Sequence, residues 1–146
     1  MQRSTLALLC FTSFTTSALQ AQESDADKRF TAIAKRYHRV VARRPRKGTA
    51  FDLLYRHYLD AGRLEELVKH YQTQTKDDAK DAASQMVLGM VYERRGRLQD
   101  ALKHVQLAVK AEPKSFYPKY AAALLMVRQY QRREALGMVQ KATEDK

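Results

Sequence analysis

The fold of this chain is decided by a ten-residue stretch that occurs twice, as GRLEELVKHY at 62–71 and as GRLQDALKHV at 96–105. The two copies begin 34 residues apart, at Gly62 and at Gly96. The same offset relates a set of small and branched apolar residues further along the chain: Ala101 to Ala135, Val105 to Val139, and Ala108 to Ala142. A fixed period of this length indicates a stack of similar helical units, each of which buries its apolar face only against its neighbours.

The unit at 82–115 has the most complete set of repeat positions. They are Leu88, Gly89 and Tyr92 in a first helix, Gly96 at a turn, Ala101, Val105 and Ala108 in a second helix, and Pro113 at the end. This unit resembles the tetratricopeptide repeat (TPR), a helix–turn–helix of 34 residues. Where that family has a Trp early in the first helix, this chain has Gln85 or a small neighbouring residue.

Each of these positions has a mechanical reason. Gly89 and Ala101 are expected where the two helices cross so closely that a large side chain would push them apart. Gly96 can adopt a left-handed conformation at the end of a helix without steric cost. Pro113 cannot continue a helix and therefore ends the unit.

The register extends in both directions. A weaker copy occupies 48–81, and a further copy occupies 116–146. Before Pro45, one helical face is apolar (Phe30, Ile33, Tyr37, Val40 and Val41), which predicts a capping helix. We therefore predict an all-α, TPR-type right-handed α-solenoid of about seven helices, namely one capping helix and three helix pairs. The predicted helices are 26–44, 49–61, 64–75, 80–95, 98–111, 115–129 and 132–143.

Residues 1–21 have the pattern of a secretory signal peptide. Arg3 precedes a short apolar run at 6–11, and Ala18 and Ala21 are candidate cleavage positions. Cys10, the only cysteine, raises the alternative of a lipoprotein, although Leu9 before it is larger than such sites favour. The predicted organisation is a signal peptide at 1–21, a basic capping helix and linker at 22–47, and three repeats at 48–81, 82–115 and 116–146. This predicts an exported protein, either periplasmic or secreted.

The formal net charge of +11 is unevenly distributed. Nine Lys and Arg residues, and no acid, lie between Lys28 and Lys47. The charges considered as a basic patch are Lys35, Arg36, Arg39, Arg43, Arg44, Arg46 and Lys47. One interpretation is a solvated helix face; the other is an anionic partner such as lipid headgroups, a cell-wall polymer or nucleic acid. The export signal and the absence of a recognised motif make nucleic acid the least favoured of these.

The resemblance also implies a binding groove, because TPR units usually bind along the inner face of each first helix. At those positions this chain has Asp52, Arg56, Leu59, Met86, Met90, Glu93, Tyr117, Tyr120 and Leu124. The Lys and Asn residues of the family's carboxylate-clamp subtype are missing. The Met and Tyr residues indicate an adaptable apolar strip for an extended or helical peptide. The alternative is that Met86 and Met90 belong to the core or are covered.

No pattern of residues predicts catalysis. Of the four histidines, His70 and His104 are repeat equivalents, so duplication explains them better than chemistry does. Glu66 and His70 have metal-ligand spacing but no third ligand. There is no phosphate-binding loop or nucleophile motif. We therefore expect neither a metal nor a cofactor and do not expect an enzyme.

The last repeat reaches Lys146 without the polar helix that usually shields the end of a TPR stack. This predicts either self-association through the exposed end or a continuation into a longer array. The function favoured by the sequence is an exported scaffold or adaptor for a protein or peptide. The alternatives are an anionic-surface binder that uses 28–47 and an N-terminal docking segment of a longer TPR protein or enzyme.

Overall fold

The computed structural model describes residues 13–129 together with 136, 137, 140 and 143, with side chains described from Asp25 onward. Six helices follow one another: α1 (Ser13–Arg43), α2 (Thr49–Asp60), α3 (Leu64–Asp77), α4 (Ala82–Arg94), α5 (Leu98–Ala111) and α6 (Phe116–Arg128). No β-strand occurs in this part of the chain. The prediction of an all-α solenoid is confirmed.

Helices α2 to α6 begin and end within two residues of the predicted boundaries. α1 is the exception, because it begins at Ser13 and not near residue 26. The segment between these positions contains no Pro or Gly that would interrupt a helix, so the helix extends through it. The seventh predicted helix, 132–143, lies almost entirely outside the described residues.

The chain divides into two compact units, 1–35 and 36–146, and the features discussed below belong to the second. In the first unit, Lys28 pairs with Asp25 and Lys35 is exposed. None of the described helices is both long enough and apolar enough to cross a membrane.

The duplicated Gly-Arg-Leu sequence forms the same turn in both copies. Gly62 and Gly96 have φ angles of 68° and 75°, in the left-handed region that glycine tolerates best. In each copy the next amide donates to a carbonyl five residues earlier, from Arg63 to Tyr58 at 2.8 Å and from Arg97 to Tyr92 at 2.9 Å. This Schellman arrangement satisfies carbonyls at the helix end and sets the antiparallel return of the second helix.

α4 lies at the centre of the packing. Every residue from Ser84 to Tyr92 on this helix is buried, which is typical of a helix that has neighbours on all sides. Its most extensive contact is with α5, where the helices meet at Gly89. A Cβ atom at Gly89 would lie 2.7 Å from Val105 Cγ2 and 3.2 Å from the carbonyl oxygen of Ala101. Ala101 and Ala108 of α5 are completely buried.

Candidate functional site

The inner faces of α2, α4 and α6 carry the residues that sequence analysis assigned to a groove. On α6, Phe116, Tyr120, Leu124 and Val127 follow one another at spacings of three and four and are between 41 and 48 % exposed. The Phe116 and Tyr120 rings stack at 5.9 Å between centroids. Two of the predicted groove residues, Tyr120 and Leu124, thus belong to an exposed apolar face, here called the α6 stripe. Sequence analysis left Phe116 and Val127 out.

The two methionines in the middle of the predicted strip are not exposed, although an open apolar groove would require it. Met86 and Met90 are only 1 % and 2 % exposed, so they are core residues that contribute a small part of the lining of two cavities and do not form an open apolar strip. The physical reason is the central position of α4, whose inner face is covered by neighbouring chain. Of the alternatives raised by the sequence, the structure therefore favours the core position for both methionines.

Part of that cover is the linker 44–48 between α1 and α2. The Lys47 amide donates to the Tyr117 hydroxyl at 2.7 Å, and the Lys47 ammonium lies 2.6 Å from Glu93 Oε1. Arg128 approaches the same carboxylate oxygen at 2.5 Å. The Glu93 side chain is 10 % exposed, and two cations compensate its charge in this position. Burial raises the pKa of the Tyr117 phenol, so it stays protonated. Lys47, Tyr117 and Glu93 thus fix the linker against α4 and α6.

The α2 part of the predicted groove is polar. Asp52 pairs with Arg94, whose guanidinium also lies 5.5 Å from the centroid of the Tyr55 ring. Arg56 and Leu59 are exposed. A cavity of about 390 Å³ lies beside the Asp52–Arg94 pair. Its lining residues are Lys47, Phe51, Asp52, Met90, Glu93, Arg94 and Arg128. Three cations and two carboxylates therefore surround it.

The residues of the basic patch have different environments. Arg36 and Arg39 are exposed on α1, and Lys47 is bound to Glu93. Arg43, Arg44 and Arg46 line two further cavities, one of about 390 Å³ and one of about 790 Å³. Tyr117 lines both of them. Arg43 at the end of α1 and Arg44 and Arg46 of the linker thus line cavities that also involve α6.

Sequence analysis missed a cluster of histidines and tyrosines between α1, α2 and α3. His38 bonds through Nδ1 to the Tyr71 hydroxyl at 2.8 Å and through Nε2 to the Tyr58 hydroxyl at 2.9 Å. The His70 ring lies 4.2 Å from the His38 ring between centroids. One sequence pattern could have indicated this cluster. It consists of His38 on the buried side of the capping helix and of Tyr58 and Tyr71 on the next two helices.

Burial, together with the nearby His70 and His57, lowers the pKa of His38 to about 4. Burial also lowers the pKa of His70. The neutral imidazole of His38 has one donor and one acceptor nitrogen, so one tyrosine hydroxyl accepts and the other donates. Both ring nitrogens are occupied by these bonds, and the cluster therefore acts as a polar element of the packing.

A second polar network surrounds Gln85 of α4. Gln85 is 2 % exposed, and its Oε1 lies 2.8 Å from His104 Nδ1. The His104 ring stacks on Tyr92 at 5.4 Å between centroids, and Gln72 donates to the Tyr92 hydroxyl at 2.8 Å. Gln85 Nε2 donates to the Ala79 carbonyl at 3.4 Å, so both ends of the buried amide have a partner, as a buried polar group requires.

No group of three or more His, Cys, Asp or Glu side chains in the described part of the chain is arranged to hold a metal ion.

The candidate site combines the α6 stripe, the linker fixed by Lys47, and the three arginines that line the two cavities. Such features suit the holding of another molecule.

The repeated helix pairs, their glycine turns and the close α4–α5 crossing define a TPR-type α-solenoid.

No protein-family model matches the chain, and no curated protein matches its sequence.

Solved structures are similar to it in fold. One structure of MamA from MSR-1 has a TM-score of 0.55 and 18 % identity, over 80 % of this chain and 67 % of that one. MamA from Desulfovibrio magneticus RS-1 has a TM-score of 0.57 and 18 % identity, over 85 % and 68 % of the two chains. YrrB, described as a TPR protein with an unusual peptide-binding site, has a TM-score of 0.56 and 16 % identity, over 83 % and 62 %. The chain thus spans about two thirds of the length of each structure, and at these identities the likeness concerns the fold.

Proposed function

We propose that this chain is a non-catalytic TPR-type adaptor that binds a protein or peptide partner along the inner faces of α2 and α6. The TPR-type fold supports the general class, because such stacks present extended concave surfaces for binding. The peptide-binding site named for YrrB is a property of that protein, and it makes a peptide partner a reasonable proposal for this chain.

The observation that carries the proposal is the α6 stripe. Phe116, Tyr120, Leu124 and Val127 each leave over two fifths of their surface accessible on one side of a single helix. Completing the burial of such a side chain contributes on the order of 1 kcal/mol. A partner that covers all four gains about 4 kcal/mol, which by itself corresponds to a dissociation constant of about 1 mM, so tighter binding requires contacts beyond the stripe.

We propose further that the protein is exported after cleavage near Ala21. Arg3, the apolar run at 6–11 and the small residues at Ala18 and Ala21 support this proposal. Cleavage at that point removes Cys10 and leaves a chain without thiols, which is compatible with an oxidising compartment.

The test is selection of binders from a phage-displayed library of twelve-residue peptides, followed by fluorescence anisotropy with the selected peptides. Tyr120→Glu combined with Leu124→Glu places two charges on the α6 stripe, and we expect at least tenfold weaker binding with unchanged helicity. The control combines Thr73→Glu with Gln99→Glu, which adds the same charge at exposed positions of α3 and α5. Equal loss in both variants, or in neither, would contradict the proposed surface.

A further inference from the structure

Arg43, the last residue of α1, forms a set of three cations with Arg44 and Arg46 of the linker; the three are here called the linker arginines. They line both cavities beside Tyr117, and none of them forms an ion pair with another described residue. The neighbouring Lys47 differs, because Glu93 compensates its charge. The three cations lie within four residues of one another in the sequence, and none of them pairs with a described carboxylate, including that of Glu112 in the lining of the smaller cavity. An anionic ligand would compensate this positive charge.

The position of the linker arginines is set by the surrounding contacts. Lys47 is held at both its amide and its ammonium group, by Tyr117 and Glu93 respectively. On the other side, the Arg44 amide donates to the Val41 carbonyl at 3.2 Å at the end of α1. Pro45 between these points has a restricted φ angle. The cations are thus presented on a short segment that is anchored at both ends.

The cavities have apolar as well as cationic walls. The smaller one is bounded by the linker, by Ala82 and Met86 of α4, and by Pro118 of α6, and its one acid is Glu112. The larger one includes Val40 and the start of α2 and has no acid among its lining residues. The N-terminus of α2, which has no side-chain cap, also opens onto it. Volumes of about 390 and 790 Å³ accommodate several side chains and are far larger than a single small anion needs.

We propose that the partner binds here through an acidic, extended peptide segment. Its carboxylates pair with the linker arginines, whose planar guanidinium groups suit bidentate bonds to carboxylates. Its apolar side chains enter the smaller cavity and continue along the α6 stripe. The inference rests on the proposed function and specifies the chemistry of the partner. The cations belong to the end of α1 and to the linker, before the first repeat, and not to the inner-face positions of the repeats themselves.

An acidic peptide fits these features better than an anionic membrane does. The linker arginines line concave cavities next to apolar walls, whereas a flat lipid surface would meet the exposed outer face of α1, where Arg36 and Arg39 lie. A peptide that carries both carboxylate and apolar groups matches cavities whose lining is both cationic and apolar.

The experiment uses the peptide selection described above, carried out on the full chain without prior choice of sequence. We expect the selected peptides to be enriched in Asp and Glu interspersed with apolar residues. The variant Arg43→Gln, Arg44→Gln, Arg46→Gln should bind them about tenfold or more weakly, since each of three partly exposed ion pairs contributes up to roughly 1 kcal/mol. The affinity of the unchanged protein should also fall as salt is raised from low to moderate concentration.

The matched control is Lys103→Gln, Lys110→Gln, Lys114→Gln, which removes the same three charges from exposed positions outside both cavities. We expect its affinity to stay within about twofold of the unchanged protein. Circular dichroism of both variants establishes that they are folded. An equal loss in the two triple variants would overturn the inference, because only net charge would then matter.

Three other outcomes are distinguishable. Selected peptides that lack acidic residues would overturn the acidic-partner inference while leaving the proposed peptide groove intact. No selected peptide at all would contradict both. In a parallel sedimentation assay with phosphatidylglycerol–phosphatidylcholine vesicles, a loss of vesicle binding confined to the linker-arginine variant, without acidic peptides in the selection, would assign the patch to a membrane.

Discussion

The close crossing of α4 and α5 yields a prediction for Gly89→Ala. Helix propensity alone favours this change, because Ala is about 1 kcal/mol better than Gly inside a helix. The crossing opposes it: the new Cβ would lie 2.7 Å from Val105 Cγ2, whereas carbon atoms pack best at roughly 3.5–4.0 Å. It would also lie 3.2 Å from the Ala101 carbonyl oxygen, which belongs to the α5 backbone.

Neither neighbour of Gly89 can yield easily. Val105 is β-branched and has one strongly preferred rotamer in a helix, and the Ala101 carbonyl moves only with α5 itself. We therefore assign the cost of overpacking to the upper part of its usual range of about 1–3 kcal/mol. After subtraction of the gain from helix propensity, Gly89→Ala should lower the free energy of unfolding by about 2 kcal/mol.

The assay is urea denaturation followed by far-ultraviolet circular dichroism, applied to a double-mutant cycle. Val105→Ala removes the Cγ2 atom that meets the new Cβ, so Gly89→Ala should be nearly neutral in that background. The expected coupling free energy is about 2 kcal/mol. A gain of about 1 kcal/mol from Gly89→Ala alone, or the same effect in both backgrounds, would refute the reasoning.

Three further predictions concern the other buried features and the N-terminus. Ala101→Leu should destabilise the fold by roughly 1–3 kcal/mol in the same assay, because Ala101 is fully buried at the crossing; an unchanged midpoint would contradict this. The pKa of His38 is about 4 in the folded chain and 6.5 in the reference state, so the unfolded chain binds more protons between these values. The free energy of unfolding should therefore decrease as pH falls from about 6.5 to about 4. His38→Gln keeps a donor and an acceptor but does not titrate, so this variant should show a weaker decrease. The same decrease in both proteins would exclude His38 as its origin. We also expect protein from the producing cell to begin near Gln22 in N-terminal sequencing, whereas an intact Met1 or a lipid on Cys10 would contradict the proposed export.

Most of the helical architecture is predictable from local sequence signals. The 34-residue period locates the helix pairs, and Gly62 and Gly96 mark the turns because their positive φ angles have a local steric cause. The start of α1 was less predictable. A helix that contains no interrupting residue continues as far as the chain allows, and composition alone does not mark its first turn.

The candidate site was predicted less well, because it depends on contacts between distant residues. Met86 has the same repeat position as Tyr120, yet one is buried and the other exposed, since α4 is central and α6 is not. The contact of Lys47 with Glu93 joins residues 46 positions apart, and no periodicity indicates it. The basic run could be predicted from the sequence. The three-dimensional structure is needed to distinguish the lysine that pairs with Glu93 from the arginines that pair with no described carboxylate.

The central claim is that a peptide partner occupies the inner side of the helices next to the linker. It is tested most directly by amide chemical-shift mapping of the isotope-labelled chain during titration with the tightest selected peptide. We predict that the largest shift changes fall at Arg43 and the linker 44–48, on α2, and along α6 from Phe116 to Val127, with little change at Lys69 on α3 or Lys103 on α5. The largest changes on the exposed faces of α3 and α5, with the linker and α6 unaffected, would contradict the account.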